Sequence, residues 1–282
     1  MFPSSSSLCG RILFATGALG WPLAGSHGHG TFHERVEALT AALREKPDDP
    51  GLLFRLATAS LEHGEWESAL RQLADLDRVA PRVVATDLQR GRALAAGGKF
   101  AEARAALDAY LALQPGHALA LGARAEVLSE LGQPLLAATD LAASIAATAR
   151  PEPDVFLELA GFLVAAGQSA EAVRALDDGM GKLGAVPALI DRAIELELAL
   201  GRAAAALARL DVQLAAAPAA QRPALMASRA RLLATARRAA EARAAWEALR
   251  EFLAALPPLD RASHAMLRLA AEAEQALAAS TP

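Results

Sequence analysis

Three histidines near the N-terminus form a cluster with the chemistry of metal ligands. They are His27, His29 and His33. If an export peptidase cut after Ala24, the new terminus would be Gly25-Ser26-His27, whose amine, two amides and imidazole can hold Cu²⁺ or Ni²⁺ in a plane. Such a cut would place the unfavourable Pro22 at the third position before the cleaved bond. We therefore interpret the histidines as part of a flexible polar spacer, with copper or nickel handling as the alternative function.

Three short matches to catalytic or ligand-binding motifs each lack residues that the chemistry requires. Residues 179–182 read Gly-Met-Gly-Lys, but Leu176 and Leu183 stand where a phosphate-binding loop has Gly and Ser or Thr. His33-Glu34 begins a zinc-protease motif, and Glu37 occupies the position of its second histidine. Asp177-Asp178 lacks the alternating oxygen ligands of a calcium loop. We therefore predict a protein that is not an enzyme and that has no cofactor.

The composition predicts an all-α protein. Of the 282 residues, 73 are Ala and 47 are Leu, and only 4% are aromatic. Ala and Leu are strong helix formers, whereas the β-branched and aromatic residues that favour strands are scarce. The net charge of −4 argues against a nucleic-acid partner, because phosphate binding requires a basic face. Cys9 is the only cysteine, so the chain has no intramolecular disulfide.

The segment before the histidines has the features of a secretory signal peptide. Arg11 precedes the apolar run from Ile12 to Leu23, and small residues follow it. We predict a signal peptide at 1–26, a flexible spacer at 27–30 and no membrane span after cleavage. The expected location is the periplasm or the exterior of a bacterium, since three Lys, 25 Arg and no Asn are typical of a GC-rich genome. The alternative is a cytoplasmic protein whose N-terminus is not a signal peptide.

A regular repeat follows this leader. Five glycines recur at a nearly constant spacing: Gly64, Gly98, Gly132, Gly167 and Gly201. An alanine stands five positions after each glycine, and a leucine stands nine positions after it. Pro47, Pro81 and Pro115 keep the same spacing, and Pro218 occupies the equivalent position of the fifth unit. A period of about 34 residues is typical of stacked helical repeats.

One unit of the repeat has the pattern of a helical hairpin. Apolar positions from Leu53 to Leu61 follow helical spacing, Gly64 ends that helix, and Pro81 stops the second one. Because a single hairpin cannot bury its apolar face, the units must stack, and we predict a right-handed α-solenoid. The predicted array spans 31–258: a half repeat at 31–47, full repeats at 50–83, 84–117, 118–152, 153–186 and 187–220, and a degenerate unit at 223–258. A capping helix is expected at 259–280.

These residues resemble the tetratricopeptide repeat family. The first unit matches its pattern at Leu53, Leu56-Ala57, Gly64, Ala69, Leu73 and Pro81, and the next four repeat most of these positions. The degenerate sixth unit keeps Ala230, Ala242 and Trp246, with Arg237 in place of its turn glycine. RNA-reading pentatricopeptide repeats are the nearest competitor, and the acidic charge argues against them.

The resemblance implies a non-catalytic scaffold that binds a peptide or protein partner in a concave groove lined by the first helix of each unit. Carried over position by position, the groove would contain Phe54, Arg55, Thr58, Leu88, Arg92, Glu126, Leu157, Asp191, Glu195 and Arg231. Arg55 and Arg92 could hold an acidic group of the partner. A carboxylate clamp of Lys and Asn is not expected, because the chain has no Asn and none of its three Lys lies on a first helix. The oligomeric state stays open.

Two arginines recur at one repeat position outside the groove. Arg90 and Arg124 occupy the same place in successive units. We expect them to form a ladder with acidic residues of neighbouring helices, such as Glu102 or Glu126.

Overall fold

The computed structural model describes residues 28–82 and 84–279, and in this part every regular element is a helix. The helices are α1 (Gly28–Glu45), α2 (Pro50–Glu62), α3 (Trp66–Val79), α4 (Val84–Ala96), α5 (Phe100–Leu113), α6 (Ala118–Glu130), α7 (Pro134–Ala147), α8 (Pro153–Ala165), α9 (Ser169–Leu183), α10 (Pro187–Ala199), α11 (Ala203–Ala216), α12 (Arg222–Thr235), α13 (Ala239–Ala254), α14 (Pro258–Arg261) and α15 (His264–Ala279). The predicted all-α class is confirmed. None of these helices is long and apolar enough to cross a membrane.

Six hairpins, from α2/α3 to α12/α13, each have a short turn centred on one repeat position. The five turn glycines have φ between +69° and +86°. At the first turn the amide of Glu65 donates to the carbonyl of Ser60 (2.8 Å) and that of Gly64 to Leu61 (3.0 Å), which satisfies carbonyls left open by the end of the helix. The left-handed backbone required here is the physical reason for a glycine once in every repeat.

The sixth turn adopts the same conformation without glycine. Arg237 has φ +58°, and the amide of Arg238 donates to the carbonyl of Leu233 (2.9 Å), the bond that Glu65 makes in the first hairpin. An L-residue in this region is strained. The degenerate unit therefore keeps the geometry of the others at an energetic cost.

The periodic alanines and leucines form the contact between the two helices of each hairpin. The alanine five positions after each turn glycine is 0% exposed in all five units, and the leucine nine positions after it is at most 4% exposed. In the sixth unit Ala242 and Trp246 occupy these positions and are also buried. Each buried leucine contributes about 1.5–3 kcal/mol, and the small alanines let the helices approach closely enough to gain it.

Two glycines inside helices serve an even closer approach. A Cβ on Gly91 of α4 would lie 2.6 Å from Leu107 Cγ, and one on Gly179 of α9 would lie 2.8 Å from Phe156 Cγ. Neither glycine has a positive φ, so both are explained by packing and not by backbone conformation.

The chain divides into two compact units, Met1–Arg82 and Val83–Pro282. In the first, Phe32 and Leu39 of α1 pack against Leu52, Leu56 and Ala59 of α2. In the second, each helix from α4 to α12 packs on the next, and some first helices also contact each other directly, α4 with α6 and α8 with α10. The second helices α5, α7, α9 and α11 contact one another less. Within this compact unit the first helices therefore lie on the inner side of the stack.

Both ends of the described array differ in detail from the sequence expectation. α1 begins at Gly28, so most of the residues expected as a spacer at 27–30 have helical backbone; once the Phe32–Leu39 face packs on α2, extending the helix by one turn requires no new nucleus. The capping helix expected at 259–280 is broken into α14 and α15, because Ser263 caps the second piece through Met266 N (3.4 Å). α15 packs through Ala273 and Leu277 into the core containing Trp246. The predicted signal peptide lies outside the described residues.

Candidate partner-binding face

The residues predicted to form the groove, apart from Arg55 at position −9, occupy one side of the first helices. Counted back from the turn glycine as position zero, positions −13, −10, −6 and −3 are separated by three, four and three, so they share one helix face. We call this surface the first-helix face. At its central position, −6, stand Thr58, Arg92, Glu126, Gly161, Glu195 and Arg231. Phe54, Leu88, Leu157 and Asp191 lie at position −10.

In the first compact unit this face forms a pocket of about 270 Å³ between α1 and α2. The structure brings together three predicted site residues here, because Phe54, Arg55 and Thr58 all line it. The Thr58 hydroxyl donates to the Phe54 carbonyl (2.9 Å), so it is not available as a donor to a partner. Glu62, which also lines the pocket, accepts from Arg35 of α1, and the exposed Arg55 guanidinium lies beside them.

In the second compact unit, three first helices share one electrostatic environment. Arg92 of α4 donates to Gln89 (3.0 Å), and its charge partly offsets the raised pKa of Glu126 on α6. That pKa is raised by desolvation, because protein surrounds the carboxylate on the inner side of the stack. The side chain nevertheless keeps an exposed surface. The pKa of Glu158 on α8 is also raised, first by burial and then by the negative charge of Glu126. Glu158 was not predicted as a site residue, although it lies at position −9, which Arg55 occupies in the first hairpin.

The other predicted residues differ in what they offer a partner. Leu88 is only 6% exposed and belongs to the core, so it contributes little surface. Leu157 is half-buried, and Asp191 is exposed. Glu195 is exposed and accepts from Arg192 (2.8 Å), one turn earlier on α10.

Arg231 is already engaged by the terminal helix. Its Nε and Nη2 donate to the two carboxylate oxygens of Glu272 on α15, each at 2.6 Å. This bidentate ion pair raises the pKa of Arg231 and lowers that of Glu272. At the C-terminal end, the predicted groove residue of α12 is therefore occupied by a residue of α15.

A separate set of charges joins hairpins along the stack. Arg124 Nε and Nη2 donate to Asp140 of its own hairpin (2.6 and 2.9 Å), and Nη1 donates to Asp108 of the preceding one (2.7 Å). Asp140 is only 8% exposed. Arg209 makes the equivalent link to Asp177 and Glu197.

Of the two arginines expected to form a ladder, Arg124 joins neighbouring helices, but with other partners than expected. Arg124 reaches Asp108 and Asp140, and Arg90 pairs with Asp87 on its own helix (2.7 Å). Glu102 and Glu126 were the wrong choices for Arg124. The first helix of a hairpin packs on the second helix of the preceding one, and the carboxylates that Arg124 meets lie on the second helices α5 and α7.

The metal alternative finds no support in the described part of the chain. There, no group of three or more His, Cys, Asp or Glu side chains is arranged to hold a metal ion. The side chains of His27 and His29 lie outside the described part. His33 is exposed, with its ring centroid 6.1 Å from that of His63, which stacks on Phe32. The copper or nickel hypothesis stays a prediction.

No family model matches the sequence, and no curated protein matches it by sequence. Solved structures similar to this fold include tetratricopeptide repeat proteins. PilW, described as a widely conserved type IV pilus biogenesis factor, has a TM-score of 0.54 at 21% identity, covering 67% of this chain and 88% of PilW. YrrB, described as a tetratricopeptide repeat protein with an unusual peptide-binding site, has a TM-score of 0.52 at 18% identity, covering 62% and 90%.

A tetratricopeptide repeat protein from Parabacteroides merdae ATCC 43184 matches over more of the chain. Its TM-score is 0.50 at 17% identity, and the match covers 88% of this chain and 94% of that one. At these identities the similarity concerns the fold. The chain has the tetratricopeptide repeat fold, as the glycine, alanine and leucine register predicted.

Proposed function

We propose that this protein is a non-catalytic scaffold that binds a peptide or protein partner on the first-helix face. The observation that carries the proposal is that, in residues 84–279, arginines between hairpins are paired with carboxylates, whereas Glu126 and Glu158 on the first helices are not. Arginines between hairpins are paired at 2.5–2.9 Å with carboxylates of the neighbouring hairpin. On the inner side of the stack, no hydrogen bond or ion pair joins the side chain of Glu126 or Glu158 to another described residue.

Charges that do not hold the stack together are available to a ligand. Glu126, Glu158 and Asp191 contribute no ion pair to the packing of the described helices, and the mutual repulsion of Glu126 and Glu158 is unfavourable to the free protein. Such groups are common at binding surfaces, where a partner supplies the missing interactions.

The inner position of the first helices favours an elongated partner over a compact one. Successive first helices present side chains at a repeating distance, so a peptide lying across them can contact several hairpins at once. The peptide-binding site named for YrrB, which shares the fold, supports this choice of ligand.

We further propose that the protein acts in the cell envelope of a bacterium. The support is the sequence of residues 1–26 and the similarity of the fold to PilW, a type IV pilus biogenesis factor. Fusion of residues 1–30 to a reporter enzyme that is active only after export tests this location. Export of the fusion supports the proposal, and retention in the cytoplasm contradicts it.

Selection of random peptides on the purified protein tests the binding function. Phage carrying short random peptides are selected, and the bound complexes are mapped by amide hydrogen exchange. We expect enriched peptides to slow exchange in α6, α8 and α10. No enrichment, or protection confined to α5, α7 and α9, would contradict the proposal.

A further inference from the structure

The first-helix face of α6, α8 and α10 has a definite arrangement of charge. At its positions −13, −10, −6 and −3, and at the adjoining position −2, these helices carry five carboxylates and no basic residue. They are Glu126, Glu130, Asp154, Asp191 and Glu195, and all are exposed. Only Glu195 has an ion-pair partner in the described chain, Arg192 on the same helix. The other adjoining position, −9, adds Glu158 on α8 and Arg192 on α10.

The centre of this face is apolar and open. On α8 the three central positions are Leu157, Gly161 and Val164, and the two side chains are half-buried. A Cβ built on Gly161 meets no atom within 4 Å, so the middle of the face has room for a ligand side chain. Leu119 on α6 adds an apolar surface that is 52% exposed.

The two features together define an apolar centre with acidic flanks. Glu126 and Glu130 lie on α6, Asp191 and Glu195 on α10, and α8 runs between these helices in the chain order of the stack. α8 contacts α10 directly, and α6 is joined to α8 through α7. Since directly packed helices have axes roughly 10 Å apart, the two flanks are separated by at least about 20 Å. An extended chain covers that distance in about six residues.

The geometry points to an extended peptide with two Lys or Arg residues about six positions apart and an apolar residue between them. This inference rests on the proposed function and specifies the chemistry of the partner. The basic residues form ion pairs with the flanking carboxylates, and the apolar residue covers Leu157 and Val164 above Gly161. Arg92 on α4 marks the end of the acidic surface, because its positive charge faces Glu126 from the neighbouring hairpin.

Charge complementarity favours this occupant over the acidic peptide that Arg55 and Arg92 were expected to hold. Arg92 already donates to Gln89, and the three hairpins that follow it present carboxylates at these positions. An acidic peptide would meet four unpaired negative charges there, which costs free energy at each close approach.

The test uses the peptides selected on the full protein. We expect Lys or Arg pairs at a spacing of about six to be enriched at least fivefold over the unselected library. In fluorescence anisotropy, the best labelled peptide should bind the double variant Glu126→Gln with Asp191→Asn at least tenfold more weakly. The control pair Glu102→Gln with Asp178→Asn removes two exposed carboxylates from second helices and should change affinity less than twofold.

The outcomes separate this inference from the proposed function. Peptides that protect α6, α8 and α10 without a basic bias, or that bind the Glu126/Asp191 variant normally, overturn the inference and leave the binding function standing. Enrichment of acidic peptides also overturns it. A dimer of this chain that dissociates in the Glu126/Asp191 variant overturns it in favour of a second copy as the occupant. Failure to recover any peptide on this face overturns both.

Discussion

Two substitutions, one at the sixth turn and one at an earlier turn, test whether the left-handed backbone is the reason that glycine recurs in the repeat. Arg237 has φ +58°, whereas Gly132 has φ +69° at the same position of its hairpin. Holding an L-residue in this region costs about 1–2 kcal/mol. Replacing it with glycine also increases the conformational entropy of the unfolded chain, which lowers the free energy of unfolding by about 0.4–1 kcal/mol. Arg237→Gly should therefore stabilise the protein by about 0.5–1 kcal/mol, and Gly132→Arg should destabilise it by a similar amount.

Gly132→Arg introduces no steric clash at Cβ, because a Cβ on Gly132 meets no atom within 4 Å. Its cost is then conformational and not steric. Urea unfolding followed by circular dichroism measures both changes, and a difference of about 1 kcal/mol corresponds to about 2–4 °C in Tm for a chain of this size. Since repeat arrays can unfold in steps, hydrogen exchange of α12 and α13 should report the local gain in Arg237→Gly.

Two controls separate backbone conformation from other effects. Arg237→Ala removes the charge but keeps the strained backbone, so it should not reproduce the gain of Arg237→Gly. Gly116→Ala alters an exposed loop glycine whose φ is not positive and should be nearly neutral. The reasoning is refuted if Arg237→Gly is no more stable than Arg237→Ala, or if Gly132→Arg leaves stability unchanged.

Packing and charge give three further predictions. Gly91→Ala should destabilise the protein by about 1–2 kcal/mol in urea unfolding, because overpacking against Leu107 exceeds the gain in helix propensity, whereas Gly161→Ala, with open space, should stabilise it by about 0.5–1 kcal/mol. Arg124→Ala should cost about 3 kcal/mol by leaving buried Asp140 unpaired, and the double variant with Asp140→Ala should recover part of that loss. At pH values above the pKa of Glu126, Glu126→Gln should increase the free energy of unfolding, because it removes a charge that the folded state disfavours. This increase should shrink as pH falls and Glu126 becomes protonated in the folded wild type.

The hairpins could be predicted because their requirements are local. A left-handed turn selects glycine, a close crossing selects alanine, and the facing gap selects leucine, so each leaves a mark at a fixed position. The same register located the sixth unit even where Arg237 replaces the glycine. The break before α15 was missed because a serine cap inside an apolar pattern is a weak signal beside the surrounding alanines.

The candidate site could be predicted only in outline. The repeat register predicts which positions share a helix face, but it does not predict which of their side chains are buried or paired with other helices. Leu88 falls in the core, and Arg231 is occupied by Glu272 from α15, far along the chain. Glu158 was missed because its role comes from the neighbouring Glu126 and not from its own position. Each of these depends on how hairpins meet in space.

Photo-crosslinking from the centre of the first-helix face tests the central claim most directly. A photoreactive phenylalanine derivative is placed at Gly161 on α8, where the structure has room for it, and in a matched protein at the exposed Ala142 on α7. Both are irradiated with the peptides selected on the wild-type protein, and adducts are identified by mass spectrometry. The predicted result is peptide adducts at position 161 and none above background at 142. Adducts at 142 alone, or equal yields at both, would contradict the assignment of binding to the first helices.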